Sequence, residues 1–350
     1  MTEPIKTGLV AFGKASRVYH GPIITSVPEL ELTKVVERRR EESRKRYPWV
    51  DIVRDTDTLL EDDDITLVVI TTPNDTHYEL AKKCLLAGKH VVVDKPFTTT
   101  SARARELIDL AAQQNRIINV FQNRRWDGDF QTVQKLVAGN QLGRIVEFET
   151  FYDRFRNYKR PDAWREKPGE GSGVFFDLGP HLIDQILVLF GPPEMVTADI
   201  RIQRDEAETD DHFDVILHYD RLKVRLKGGM LVRAQTPRFL IQGMKGTFVK
   251  YGMDPQENAL IEGRTPDEPG WGVEPEEQWG TINTEIGDLH IVGRVESDTG
   301  NYTGYYQNIV DAIKGRSELA VTPDQMINTI RIIERAFQSN EEKRTVPFSE

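Results

Sequence analysis

The chain has 350 residues, 46 of them basic and 56 acidic, so its formal charge is −10 and its pI about 5.4. An acidic balance excludes a simple nucleic-acid binder, whose phosphate-tracking surface needs a basic excess. A 38% hydrophobic content can fill the cores of two domains of roughly 150 residues, and no apolar run approaches the ~18 residues that a transmembrane helix requires.

From residue 5 to about 122, short β-branched runs at 5–12, 32–37, 51–53, 66–71, 90–94 and 117–121 alternate with helix-period segments near 17–26, 40–47, 55–62, 75–87 and 100–114. That alternation predicts a doubly wound parallel sheet, a Rossmann-type α/β domain over 1–122, with its ligand beyond the carboxyl ends of the strands. Asp75 and Thr76 can cap the fourth helix, and Gly88 can end it in a left-handed turn. After 122 the pattern changes to period two at 145–152, 196–203, 213–219 and 222–230, with hairpin spacings at 219–222 and 244–246. This predicts an α+β domain over 123–350 built on a large, mostly antiparallel open sheet. Residues 254–280, rich in Pro, Gly and Glu, read as an irregular surface excursion, and helical patterns at 303–314 and 323–338 close the chain and are expected to pack back near the first domain. The first residues enter the strand pattern with no apolar leader, and Cys84 is the one cysteine, so a reducing cytoplasm is expected.

The first strand runs into Ala11-Phe12-Gly13-Lys14-Ala15-Ser16, which keeps only the middle glycine of the G-x-G-x-x-G phosphate loop. Gly13 allows backbone to approach a pyrophosphate, and Ala11 and Ser16 are small enough to replace the outer glycines. The second strand ends at Glu37-Arg38-Arg39, the position roughly 20 residues after the loop where such folds read the adenosine ribose. Glutamate there suits the hydroxyls of NAD, whereas Arg38 and Arg39 suit the 2′-phosphate of NADP, and the sequence holds both. We expect NADP(H), with NAD(H) the weaker alternative. The competing reading of this basic cluster, which continues through Arg40, Arg44, Lys45 and Arg46, is a solvated helix face balanced by Glu41 and Glu42.

Strand four ends in Thr71-Thr72-Pro73-Asn74 with His77 nearby, and strand five in Asp94-Lys95-Pro96. Pro96 disfavours helix at Lys95, so the lysine stands in an extended turn at a strand tip. Asp177, His181 and Asp184 fall within about 60° of one another on a helix, opposite Ile183, Ile186, Leu187 and Phe190. This polar stripe is expected to face outward, with a carboxylate beside a histidine suited to a general base. The seven histidines show no zinc-like spacing, so no metal is expected. The stretch from Arg154 to Arg160 can grip an anion or form a surface or subunit loop.

Taken together, the loop at Gly13, Asp94-Lys95-Pro96 and Asp177-x-x-x-His181 resemble the Gfo/Idh/MocA oxidoreductases over essentially the whole chain. The family has glutamate where this chain has Asp94. Asn123-Arg124-Arg125-Trp126-Asp127, Trp164-Arg165-Glu166-Lys167 and Arg331-Ile332-Ile333-Glu334 look most like its NADP-dependent scyllo-inositol dehydrogenases. The resemblance implies Lys95, Asp177 and His181 as catalytic residues. It implies Phe12, Gly13, Ala15, Ser16, Arg38, Arg39, Thr72, Pro73, Asn74, His77, Lys95, Trp164 and Arg165 around the cofactor. Asn123, Tyr152 and Arg154, with the catalytic residues, would meet the hydroxyls of a cyclitol or sugar. Lys95 and His181 can exchange the base role. A homodimer or homotetramer through the second sheet is also implied. Other sugar dehydrogenases, NAD-dependent glycosidases and an NADP-sensing regulator without turnover share the fold and remain alternatives.

Overall fold

Val-, Ile- and Leu-rich runs form β1 (Ile5–Val10), β2 (Leu30–Val36), β3 (Asp51–Val53), β4 (Leu67–Ile70), β5 (His90–Val93) and β6 (Ile118–Val120) in the computed structural model, which describes residues 3–160 and 163–349. Residues 1, 2, 161, 162 and 350, two of which open the expected first domain, lie outside the described residues. Between the strands come α1 (Gly21–Thr25), α2 (Glu42–Arg46), α3 (Thr56–Leu60), α4 (His77–Leu86) and α5 (Ser101–Gln113). Further along lie α6 (Gly128–Ala138), β7 (Ile145–Phe151), α7 (Val174–Phe190), β8 (Met195–Arg201), β9 (His212–His218), β10 (Lys223–Gly229), β11 (Phe239–Gly243), β12 (Gly246–Lys250) and α8 (Gln256–Ile261). The chain ends through β13 (Gly280–Ile286), β14 (Leu289–Val295), α9 (Thr303–Ile313), α10 (Pro323–Glu342) and β15 (Val346–Pro347).

Two compact units result. The first contains residues up to Trp126 together with Gln256–Trp271 and Asn301–Ile327. Its six strands are all parallel in the order β3-β2-β1-β4-β5-β6, with the strand order reversing at β1 and β4. That reversal opens the crevice where a doubly wound sheet takes its ligand. Near-continuous apolar strands suit a sheet covered on both faces: Leu67–Ile70 is fully buried. The 254–280 segment departs from expectation, since Ala259, Leu260 and Trp271 join this core, and Gln256 Oε1 accepts from the Trp271 indole at 2.9 Å. Its Pro, Gly and Glu content masked a few anchoring apolar residues. The fourth helix also starts differently, because Thr76 makes no side-chain cap and its hydroxyl instead donates to the Pro73 carbonyl at 2.7 Å. Gly88 ends it as predicted: at φ +73° it lets Lys89 N–H reach Cys84 O at 3.1 Å and Gly88 N–H reach Leu85 O at 2.9 Å.

The second unit comprises Asp127–Pro255, Gly272–Gly300 and residues from Asn328 onward. Its nine-stranded sheet runs β14-β13-β12-β11-β7-β10-β9-β8-β15, antiparallel except where β7 pairs β10. Period-two burial on β9 and β10 puts Phe213, Val215, Leu217, Val224 and Leu226 in one core with α7. The opposite face carries crossed charges such as Arg225 with Asp214 at 2.5 Å. β13 and β14 were not expected. Their signal is the Gly287-Asp288 turn between the paired Ile286 and Leu289. Among the described residues no helix is long and apolar enough to cross a membrane.

Candidate active site

In the first unit, the residues at the strand tips lock two turns across the strand-order reversal. Ala11 sits at φ +77°, the left-handed conformation that the fingerprint glycine would adopt. Ser16 Oγ donates to Ala11 O (2.8 Å) and shares a 2.6 Å hydrogen bond with Thr71 Oγ1, while Thr71 N–H reaches Val10 O (3.2 Å). Arg17 N–H donates to Gly13 O at 3.0 Å, so helical turns begin at the loop, first as a π-helical segment, Ser16–His20, and then as α1. A Cβ built on Gly13 would meet nothing within 4 Å, so backbone there faces open space. Phe12 packs edge-on to Tyr47 at 6.2 Å and Ala15 is half-buried.

The second-strand tip resolves the mixture of acid and base. Glu37 is only 6% exposed, and its carboxylate accepts from Ser43 N–H (2.8 Å), Ser43 Oγ (2.5 Å) and Glu42 N–H (3.0 Å). It holds the start of α2. Glu41 pairs with Arg54 (2.5 Å) and Arg44 (3.9 Å), and Glu42 with Lys45 (2.8 Å), so the balanced-face reading holds for the later members of the cluster. Arg38, Arg39 and Arg40 are exposed and form no ion pair among the described residues. The loop, the open space at Gly13 and three uncommitted guanidinium groups fit a phosphorylated dinucleotide.

Lys95 follows Asp94, whose Oδ1 accepts from Lys95 N–H at 2.9 Å and lies 3.5 Å from His20 Nε2. Burial works against the Asp94 anion, but His20, with the nearby Lys95 and His77, holds its carboxyl below the ordinary aspartate value. His20 is itself buried, bonded through Nδ1 to Tyr306 Oη (2.6 Å) and packed on Phe121. The one sequence signal for His20 is its place after the phosphate loop. His77 is fully buried, with Nδ1 2.9 Å from Pro96 O and Nε2 2.9 Å from Thr72 O. The bridge is complete when both ring nitrogens carry protons. It ties the turn holding Thr72, Pro73 and Asn74 to the turn holding Lys95. Asn74 and Asn123 are buried at the tips of β4 and β6, while Thr72 is half-buried and Pro73 exposed.

In the second unit, α7 begins at Gly173, whose φ of +92° and whose missing Cβ, which would lie 1.9 Å from Asp210 Oδ1, both demand glycine. Asp210 caps the helix, its carboxylate accepting from Phe175 N–H at 2.7 Å, and burial pushes its carboxyl up to about 6. Little of the polar stripe is open to solvent, His181 being 7% and Asp184 1% exposed, while Ile183, Ile186 and Leu187 on the opposite face join the core of the sheet. Asp177 remains partly open and pairs with Arg165 Nε at 3.2 Å; that guanidinium also lies 4.5 Å from the Trp164 ring. The carboxylate expected to orient His181 thus has Arg165 as an ion-pair partner. The Tyr152 ring lies 6.4 Å from the His181 imidazole. Arg154 is half-buried, its backbone joined to Gly229 O (2.9 Å) and Val232 N–H (3.1 Å). In the basic stretch, Arg160 (2.9 Å) and Arg156 (3.8 Å) turn onto Glu166, and Lys159 onto Glu208 (2.6 Å), so these cations are committed internally.

Residues 5–122 match the family described as "Oxidoreductase family, NAD-binding Rossmann fold", and residues 134–348 match "Oxidoreductase family, C-terminal alpha/beta domain", both of the GFO/IDH/MocA group. The chain is 39% identical to scyllo-inositol 2-dehydrogenase (NADP(+)) IolW of Bacillus subtilis, covering 98% of this chain and 96% of that protein. It is 41% identical to the uncharacterized oxidoreductase YdgJ of Escherichia coli, over 99% of both. The solved YvaA structure from Bacillus subtilis superposes with a TM-score of 0.95 at 39% identity, covering 99% of this chain and 98% of that one.

Proposed function

The chain belongs to the Gfo/Idh/MocA oxidoreductase family, and from that premise we propose that it is an NADP-dependent scyllo-inositol dehydrogenase, reversibly converting one secondary hydroxyl to a ketone. The observation that carries the cofactor half is the tip of β2, where Glu37 is tied to Ser43 while Arg38 and Arg39 are uncommitted. The substrate half is supported by the relative named for scyllo-inositol, with other sugars and polyols as the nearest alternatives. When bound, the nicotinamide supplies a two-electron acceptor for the hydrogen leaving carbon. Gly13, Ala15 and Ser16 would hold the phosphates, Arg38 and Arg39 the 2′-phosphate, and Thr72, Pro73 and Asn74 the nicotinamide half.

His181 takes the hydroxyl proton, its imidazole fixed in a buried setting beside Tyr152. Lys95 donates to the substrate oxygen and stabilises the charge that develops as the proton leaves. Asp177, paired with Arg165, supplies negative charge that favours the imidazolium. Asn123, Tyr152 and Arg154 contact other hydroxyls of the ring. We also take the protein to work in the cytoplasm as a homodimer or homotetramer through the second sheet, which light scattering on the purified protein checks. The mechanistic test is kcat for Lys95→Ala and His181→Ala at saturating NADP. Both are expected to fall at least about 100-fold. Wild-type kcat in either variant removes that residue from the chemistry.

A further inference from the structure

Arg238 stands immediately before β11 and is 2% exposed, a position where a guanidinium needs a full set of partners. One N–H donates to Thr150 Oγ1 (2.5 Å) and another to Gln185 Oε1 (2.8 Å), while Nε faces the buried Asp129 carboxylate at 3.8 Å. Its central carbon lies 4.3 Å from the Phe239 ring centroid and 5.1 Å from that of Tyr152.

These contacts join two elements. Thr150 and Tyr152 alternate along one strand path and share a face, since Tyr152 N–H continues the ladder to Lys227 O at 2.8 Å. Gln185 lies one helical turn beyond His181 on α7, so the two side chains share a helix face. The rigid fork of Arg238 thus spans from the strand that presents Tyr152 to the helix that presents His181, and those two rings stand 6.4 Å apart, tilted by 32°. A lysine would keep the charge but lose the fork, and an apolar side chain would fill the space with no directional bond.

We propose that Arg238 is a positioning residue that fixes Tyr152 and His181 relative to one another, acting on proton transfer through His181. The proposal rests on the reading that His181 takes the hydroxyl proton. The discriminating experiment measures kcat, KM and Tm for Arg238→Lys, Arg238→Met and Asp129→Leu/Arg238→Met, with Arg238→Met also made in the His181→Ala background. Ångström-scale misplacement of a reacting group predicts a loss of about 10- to 100-fold in kcat for all three variants, with KM for NADP unchanged. The double replacement removes both buried charges, so its Tm should stay near wild type while the kcat loss persists. In the His181→Ala background, Arg238→Met should cost less than about twofold, because residues acting through one another are not additive. Wild-type kcat in Arg238→Met, or a full-sized loss in the His181→Ala background, overturns the proposal while leaving the base assignment intact. Wild-type kcat in His181→Ala overturns the assignment beneath it, and the proposal with it.

Discussion

Replacing Arg38 and Arg39 together by alanine tests the assignment of the β2 tip. Both guanidinium groups are exposed and without an ion pair among the described residues, so a phosphate engages them without breaking an existing contact. Exposure also means solvent screening, which places each contact at the low end for a charge-assisted hydrogen bond, about tenfold in affinity. The double variant should therefore lose about 100-fold in kcat/KM for NADP, while NAD, which lacks the phosphate, should change less than about threefold. Arg44→Ala is the internal control. Its side chain already leans toward Glu41 at 3.9 Å, and its removal should leave the cofactor ratio unchanged. The assay is initial rate at 340 nm with subsaturating cofactor and fixed polyol, repeated at higher salt, where the NADP advantage should shrink. A ratio in Arg38→Ala/Arg39→Ala equal to that of the wild type refutes the reasoning.

Glu37→Ala removes a buried carboxylate that accepts three hydrogen bonds at the start of α2, and it should cost about 2 kcal/mol and lower Tm by about 4–8 °C without turning the enzyme toward NAD; an unchanged Tm contradicts the contact. Ala11→Gly relieves a left-handed backbone at φ +77° and should raise stability by up to about 1 kcal/mol after the extra freedom of the unfolded chain is counted, so clear destabilisation in a denaturant titration speaks against that conformation. His90 is pushed down to about 4 by burial and then by the Arg116 charge, and its Nδ1 accepts from Ile117 N–H at 3.0 Å. The unfolded chain binds that proton near 6.5, so the stability it contributes is present above 6.5 and is lost as pH falls toward 4. His90→Asn should flatten the decline of Tm between pH 6.5 and 4.5, and an identical slope rules His90 out as the cause.

The parallel sheet was legible because each strand is a short apolar run between helix-period segments, and β1 with β4 placed the Gly13 and Thr71 turns side by side. Lys95, Asp177 and His181 were legible as residue types at strand and helix positions. Their partners were not. Glu37 is held by Ser43, six residues away, folding back onto it, and no periodicity encodes that. Likewise His20 reaches Asp94 and Tyr306 through tertiary packing alone. The helix at 174–190 was readable, but how little of its polar stripe is exposed was not, because period shows which residues share a face and says nothing of what covers it. β13 and β14 were not predicted, although the Gly287-Asp288 turn that joins them is visible in the sequence.

The most direct measurement of the central claim is NADPH formation at 340 nm with NADP and a panel of inositols and sugars. The account predicts a rise with scyllo-inositol that requires NADP, is weaker with NAD, and is matched mole for mole by ketone. Tight NADPH binding with no turnover of any polyol on the panel would contradict it and identify the chain as a cofactor-sensing protein.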